Sequence, residues 1–257
     1  MKGSVVVTGG GTGGHLKVAK AFVDEVYERG SKSIFIGSKY GQDKEWFNRD
    51  IHLKKSIFLE SRGVVNKDFQ GKASALWGIF KEMLHCMNIF DKANVKTVIS
   101  VGGFSAAPAC FAAILTPGCK LYIHEQNSRM GKLNEVTARF ATQVFSSYDE
   151  SSVIKDYPVN QEFFDHGRIR KEIRTILFLG GSQGAVGIND YALKVAKYLD
   201  NNGYRIIHQT GRDDFKRVSK AYEELGINAD VFDFSKELVK KMYEADFAIS
   251  RAGASTL

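Results

Sequence analysis

Short apolar runs alternate with stretches of helical periodicity along most of the chain. In the first half the strand-like runs are residues 4–8, 33–37, 97–102, 120–125 and 143–147. Between them lie helical patterns such as residues 15–29, where Val18, Ala19, Phe22, Val23 and Val26 share one face. Apolar strands separated by amphipathic helices predict an α/β fold, a parallel sheet with helices on both faces. A weakly periodic stretch, residues 151–171, contains Pro158 and Gly167 and reads as a linker. The pattern then restarts: strands at 175–179, 205–209, 231–234 and 247–250, with a helix running to about Leu199. We expect two Rossmann-like domains facing a cleft: 1–155, a linker over 156–173, and 174–257. The second has 84 residues, where a doubly wound domain has about five or six strands, and is expected to be incomplete.

Charge sharpens this division. The net charge is +7, and all of the excess sits in the first part. Residues 1–155 carry 21 Lys/Arg against 14 Asp/Glu, and residues 156–257 carry 15 of each. A basic first domain fits either an ordinary soluble surface or a partner bearing phosphates, an anionic membrane included. No basic run with interleaved aromatics marks a nucleic-acid module. The opening MKGSVVVTGGG runs straight into a strand, without the long apolar region of a signal peptide. No apolar run reaches the length of a membrane span. Cys86, Cys110 and Cys119 are odd in number and lack metal-ligand spacing, as expected of idle thiols in a reducing compartment.

Three glycine-rich turns carry the candidate chemistry. GGGTGGH (residues 9–15) follows a strand and opens a helix, a turn suited to a diphosphate because glycine permits close backbone approach and the helix N-terminus offers unpaired N–H groups. Its Gly9-x-Gly11-x-x-Gly14 spacing also fits a dinucleotide fingerprint. The second strand, however, ends Ile36–Gly37–Ser38 without the acidic residue which that reading requires. No Walker-type ending is present. GGFSAAP (102–108) ends another strand, and GGSQGA (180–185) opens the second half. All three are placed at strand C-termini, where parallel sheets bind ligands. HEQN (124–127) adds His124, Glu125 and Asn127 at a further strand end, a set fit for a polyhydroxylated substrate. His15, in the first helical turn, is the candidate general base; a helix N-terminus would favour its neutral form.

Together GGGTGGH, SVGGFSAAP, LYIHEQN, LFLGGSQGA, HQTG and SRAGAST, in this order and spacing, closely resemble the MurG family of inverting glycosyltransferases, which move N-acetylglucosamine from UDP-N-acetylglucosamine to lipid I, forming lipid II of peptidoglycan. The resemblance implies a GT-B fold with the acceptor on the first domain and the donor mainly on the second. It assigns Gly10, Gly11, Thr12, Gly13, Gly14, His15, Gly102, Gly103, Phe104 and Ser105 to the lipid-linked diphosphate and reacting sugar. Asn127 would lie near the reacting sugars, with Ser182, Gln183 and Arg251 on the donor. Neither a cofactor nor a metal is expected. The implied place is the cytoplasmic face of the inner membrane. Residues 69–90, with Leu76, Trp77, Ile79, Phe80, Met83 and Leu84 beside Lys72 and Lys81, form a helix that can rest on an anionic membrane or face the core.

Two departures from the family pattern are visible. The stretch Tyr157-Pro158-Val159-Asn160 stands where the family commonly reads GNPVR. The chain also stops at SRAGASTL, before the acidic residue and glutamines expected to hold the donor. A second reading is therefore a catalytically inactive acceptor-binding fragment. Another UDP-sugar enzyme of the same fold, such as an epimerase, fits GGFSAAP and HEQN less well.

Overall fold

The computed structural model describes the whole chain except residues 1–2, 12, 64–67, 160, 182–183, 236 and 252–257. It divides into two compact units, Met1–Val159 and Asn160–Leu257.

In the first unit, strands β1 (Ser4–Thr8), β2 (Ser33–Ser38), β3 (Leu53–Leu59), β4 (Val95–Ser100), β5 (Lys120–Glu125) and β6 (Gln143–Ser146) form one sheet in the order β3-β2-β1-β4-β5-β6. Every pairing is parallel, and a short helix α5 (Lys132–Thr137) lies between β5 and β6. Successive strand residues point to opposite faces, which is why β1 serves two cores. Val6 packs with Met83, Cys86 and Phe90 of helix α3 (Phe69–Ala93) and with Ala109 and Cys110 of α4 (Ala107–Leu115). Val7 packs with Leu16, Val18, Ala19 and Val23 of α1 (Gly13–Glu28) and with Phe47 of α2 (Asp43–Phe47). Full burial of each Val, Leu, Phe or Met side chain among these contributes about 1.5–3 kcal/mol. The strand order reverses between β1 and β4, so the turns after these two strands flank the switch point where open α/β sheets bind ligands.

The strand β3 was not expected from the pattern of apolar positions. Its exposed Lys54 and Lys55 look like a loop, but β3 is an edge strand, where charge discourages pairing with another chain. Strand β4 begins earlier than expected and stops at Ser100, releasing Val101–Gly103 to form the turn. The Cys86 and Cys110 thiols are free and pushed up to about 12, mainly by burial, which makes both inert.

The second unit holds β7 (Thr175–Leu179), β8 (Arg205–Gln209), β9 (Asp230–Phe232) and β10 (Phe247–Ser250), all parallel, in the order β10-β7-β8-β9. Helices α7 (Val186–Asn201), α8 (Phe215–Glu224) and α9 (Leu238–Glu244) connect them, after a short α6 (Glu162–Asp165). Residues ahead of β7 are built into this unit. Arg168 donates to the Asp246 carboxylate (2.6 Å), Arg170 donates to the Ala245 carbonyl (3.1 Å), and Asp246 also accepts the Arg174 and Thr175 N–H groups (2.9 Å each).

A buried polar network joins β8 to two helices. Asn189 Nδ2 donates to the Thr210 carbonyl (3.0 Å) and to Asp214 (2.7 Å), which leaves its Oδ1 to accept from His208 Nε2 (3.0 Å). His208 Nδ1 then accepts from the Tyr222 hydroxyl (3.1 Å), so the wiring specifies the tautomer. His208 is fully buried, and its pKa is lowered to about 4, chiefly by burial. The unfolded chain would bind this proton near the ordinary value of 6.5. Between pH 6.5 and 4 the unfolded state therefore binds more protons, and stability falls as pH falls. The second unit should lose on the order of 3 kcal/mol across that window, seen as a falling urea midpoint. An imidazole of His208 that titrates near 6.5 by NMR would contradict this.

Candidate functional site

The two glycine turns of the first unit interlock. The Gly10 N–H donates to the Gly102 carbonyl (3.2 Å) and the Val101 N–H to the Thr8 carbonyl (2.9 Å). A Cβ on Gly9 would stand 2.5 Å from the Gly102 oxygen, so neither turn accepts a side chain here. Gly103, at φ 80° and ψ 163°, lies against the Gly10 carbonyl in backbone space open to glycine almost alone. The Phe104 ring closes over Gly11, where a Cβ would come 2.6 Å from Cε1. Ser105 is fully buried, with an Oγ that lacks a protein partner.

On the β5 side, HEQN divides between the faces of the sheet. His124 is buried edge-on against the rings of Phe22 and Tyr157 (centroids 5.8 and 6.2 Å). Glu125, only 3% exposed, is a hub rather than an open ligand. Its Oε1 accepts from Asn127 N (2.9 Å) and Nδ2 (3.0 Å), and its Oε2 from Gly131 N (2.9 Å) and Asn134 Nδ2 (2.8 Å). Asn134 in turn packs on Gly102, where a Cβ would meet its Nδ2 at 2.9 Å. Glu125 thus orients the exposed Asn127 and, through Asn134, props the second glycine turn. A recess of about 320 Å³ opens beside Asn127, lined also by Ser146, Tyr148 and Asp149.

Gly13, Gly14 and His15 form the first turn of α1. Burial lowers the His15 pKa, and Glu125 and then Asp43 oppose that shift through their charges. The expected direction is therefore found, with burial as its leading cause. At neutral pH the imidazole is held in the form that accepts a proton.

In the second unit, the Gly180 N–H donates to the Gln209 carbonyl (2.9 Å) and the Gly184 N–H to that of Gly181 (3.0 Å). Arg251 is exposed beside this turn, its Nη2 3.3 Å from where a Gly181 Cβ would be. Thr12, Ser182 and Gln183 lie outside the described residues. Among the described residues, no group of three His, Cys, Asp or Glu could hold a metal ion.

Helix α3 carries two apolar faces. Ala75, Ile79, Met83, Cys86 and Phe90 face the core, whereas Leu76, Trp77, Phe80 and Leu84 are 46–69% exposed, Trp77 and Phe80 stacking on each other with centroids 5.7 Å apart. Lys72 and Lys81 are exposed on the same helix. No helix among the described residues is long and apolar enough to cross a membrane.

Sequence reasoning missed Asp43. This residue is fully buried and accepts the Gly11 N–H at 2.8 Å. It lies too far along the chain from the turn to have signalled a connection.

Residues 5–146 match the glycosyltransferase family 28 N-terminal domain, and residues 175–257 match the family 28 C-terminal domain. The chain is 48% identical over 99% of its length to the UDP-N-acetylglucosamine--N-acetylmuramyl-(pentapeptide) pyrophosphoryl-undecaprenol N-acetylglucosamine transferase of Campylobacter jejuni, of which it covers 73%. The similarly named protein of Sulfurimonas denitrificans is 49% identical over 98% of the chain, which covers 74% of that protein. Among solved structures, the fold is similar to Acinetobacter baumannii MurG, with a TM-score of 0.72 at 24% identity, covering 99% of this chain and 74% of that one. The chain belongs to glycosyltransferase family 28, as a MurG-type member.

Proposed function

We propose that this chain transfers N-acetylglucosamine from UDP-N-acetylglucosamine to lipid I, giving lipid II, by a single inverting displacement. The observation that carries the reading is the pair of interlocked glycine turns at the sheet's switch point, with a neutral His15 on the adjoining helix turn. The acceptor diphosphate would rest on the N-terminal turn of α1, where unpaired N–H groups and the helix dipole favour negative charge. His15 takes the proton of the muramyl 4-hydroxyl as its oxygen bonds to the donor's anomeric carbon. The bond from that carbon to UDP breaks with inversion. Charge on the departing UDP is met by Arg251 and by the α7 N-terminus beyond the third glycine turn. Asn127, held by Glu125, addresses the sugar hydroxyls. The relatives carry names that specify this donor and this acceptor type.

Transfer of labelled N-acetylglucosamine to a lipid I analogue tests the reading. Product with the inverted anomeric configuration supports it. Acceptor binding with no turnover supports the acceptor-binding fragment instead.

The exposed face of α3 extends the proposal to location. Leu76, Trp77, Phe80 and Leu84, with Lys72 and Lys81 on the same helix, fit the interfacial region of an anionic bilayer. This would place the protein peripherally at the cytoplasmic face of the inner membrane, where a lipid-linked acceptor resides. Changing Trp77 and Phe80 together to Glu should weaken binding to phosphatidylglycerol-containing vesicles by roughly tenfold or more, with circular dichroism unchanged. Equal co-sedimentation of the variant would remove α3 as the membrane contact.

A further inference from the structure

The first glycine turn is held from beneath by a carboxylate that no motif marks. Asp43, the first residue of α2, is 0% exposed. Its Oδ2 accepts the Gly11 N–H (2.8 Å), and its Oδ1 accepts the Ser38 N–H at the end of β2 (3.0 Å). Three glycines make room for this carboxylate. A Cβ on Gly10 or Gly37 would stand 2.7 or 2.6 Å from its Oδ1, and one on Gly41 would stand 2.5 Å from its Oδ2. Glycine in β2 and in the following turn is costly to order. A Cβ on Gly37 would also meet the Phe35 ring at 2.6 Å and one on Gly41 the Gly11 Cα at 2.7 Å, so both glycines make room for the carboxylate together with its neighbours.

We propose that Asp43 is a positioning residue for the acceptor side of the active site. It clamps Gly11 so that the turn presents the N-terminus of α1, and not the Gly11 amide, to the acceptor phosphates. The inference rests on the acceptor reading above and deepens it. A phosphate aimed at the turn's own floor would meet a buried negative charge at Gly11. Anion binding is thereby confined to the Gly13–Gly14–His15 end, where the helix dipole favours it and where the candidate base stands. The carboxylate has the two oxygens needed to accept from two N–H groups. An amide has one acceptor and would turn its own NH₂ on the other donor. A glutamate is one carbon too long for a space closed by three backbones.

The test uses the 257-residue chain and three readouts. In the unsubstituted protein the Gly11 amide should be strongly protected from hydrogen exchange, and Gly11 exchanging freely would overturn the clamp. Asp43→Asn and Asp43→Glu should each weaken binding of a lipid I analogue by roughly tenfold, about 1.4 kcal/mol, while binding of UDP-N-acetylglucosamine is unchanged. A merely structural defect would lower both. Unaltered acceptor affinity in a folded Asp43→Asn protein would refute the positioning role. Should both variants fail to fold, Gly37→Ala presses on the same carboxylate from β2, where a Cβ would meet Asp43 and the Phe35 ring and not the Gly11 backbone, and must produce the same acceptor-selective loss; equal loss of both ligands would refute the proposal. If the unsubstituted chain binds no acceptor at all, the acceptor reading fails, and Gly11 exchange still decides whether the clamp exists.

Discussion

Replacing His15 by alanine should lower N-acetylglucosamine transfer by roughly a hundred- to ten-thousand-fold, the range supplied by a positioned general base. Binding of either substrate should change far less. The effect on rate should dominate because His15 is set on the first turn of α1, beside the two interlocked turns, with its charged form disfavoured by burial. His15→Gln separates the two chemical roles open to the residue. Glutamine can still donate a hydrogen bond to phosphate but cannot accept a proton in the reaction. If His15→Gln retains the rate, the imidazole serves as a donor to the diphosphate and not as the base. The pH profile follows from the same geometry. Burial places the His15 pKa below 6.5, so the midpoint of the acid limb of kcat/KM should lie below pH 6.5, as the imidazole takes up a proton. The groups facing it are Glu125 and Asp43, and both raise the value. Removing either charge should move the acid limb to still lower pH. An acid limb above 6.5 would show that another group limits the reaction.

Much of this arrangement is legible in the chain itself, for a definable reason. Strands such as β1 and β7 carry continuous apolar runs, Val5–Val7 and Ile176–Leu179, because helices cover both faces of the sheet, and the glycine turns follow directly from their ends. Local sequence therefore announces both the element and the turn after it. What escaped reading is non-local. Strand β3 shows lysines on an edge, and its assignment depends on pairing with β2. Asp43 lies 32 residues from the Gly11 it binds, so only the folded sheet shows that an acidic residue does reach the first turn. It does so from the start of α2 instead of the end of β2, and it occupies an N–H that a bound phosphate would otherwise compete for. Glu125 illustrates a different limit. Its residue type fits sugar recognition, yet four N–H donors saturate it, which makes it a support for Asn127 and Asn134. Likewise, periodicity places both apolar faces of α3 on one helix but cannot say which of them the sheet will cover.

Gly103→Ala should be the most damaging single substitution in the first unit that leaves every chemical group of the site in place. At φ 80° and ψ 163° an L-residue is strained by about 1–3 kcal/mol. The new methyl group would also be driven into the Gly10 carbonyl, which is backbone and cannot rotate aside. Relief requires the two turns to separate. That stretches the bond from Gly10 N to the Gly102 carbonyl, and it displaces Gly11 from both Phe104 and Asp43. A total loss of about 3 kcal/mol or more in the first unit is expected, measured as a lower urea midpoint, with acceptor binding lost together with it. Gly78→Ala provides the control. No atom lies within 4 Å of a Cβ built there, and the residue sits within α3, where alanine should stabilise by up to about 1 kcal/mol. If Gly103→Ala were as stable as this control, the two turns would not be mutually packed. The acceptor site would then be two separate loops, and one substitution in the second could not disturb His15 through the first.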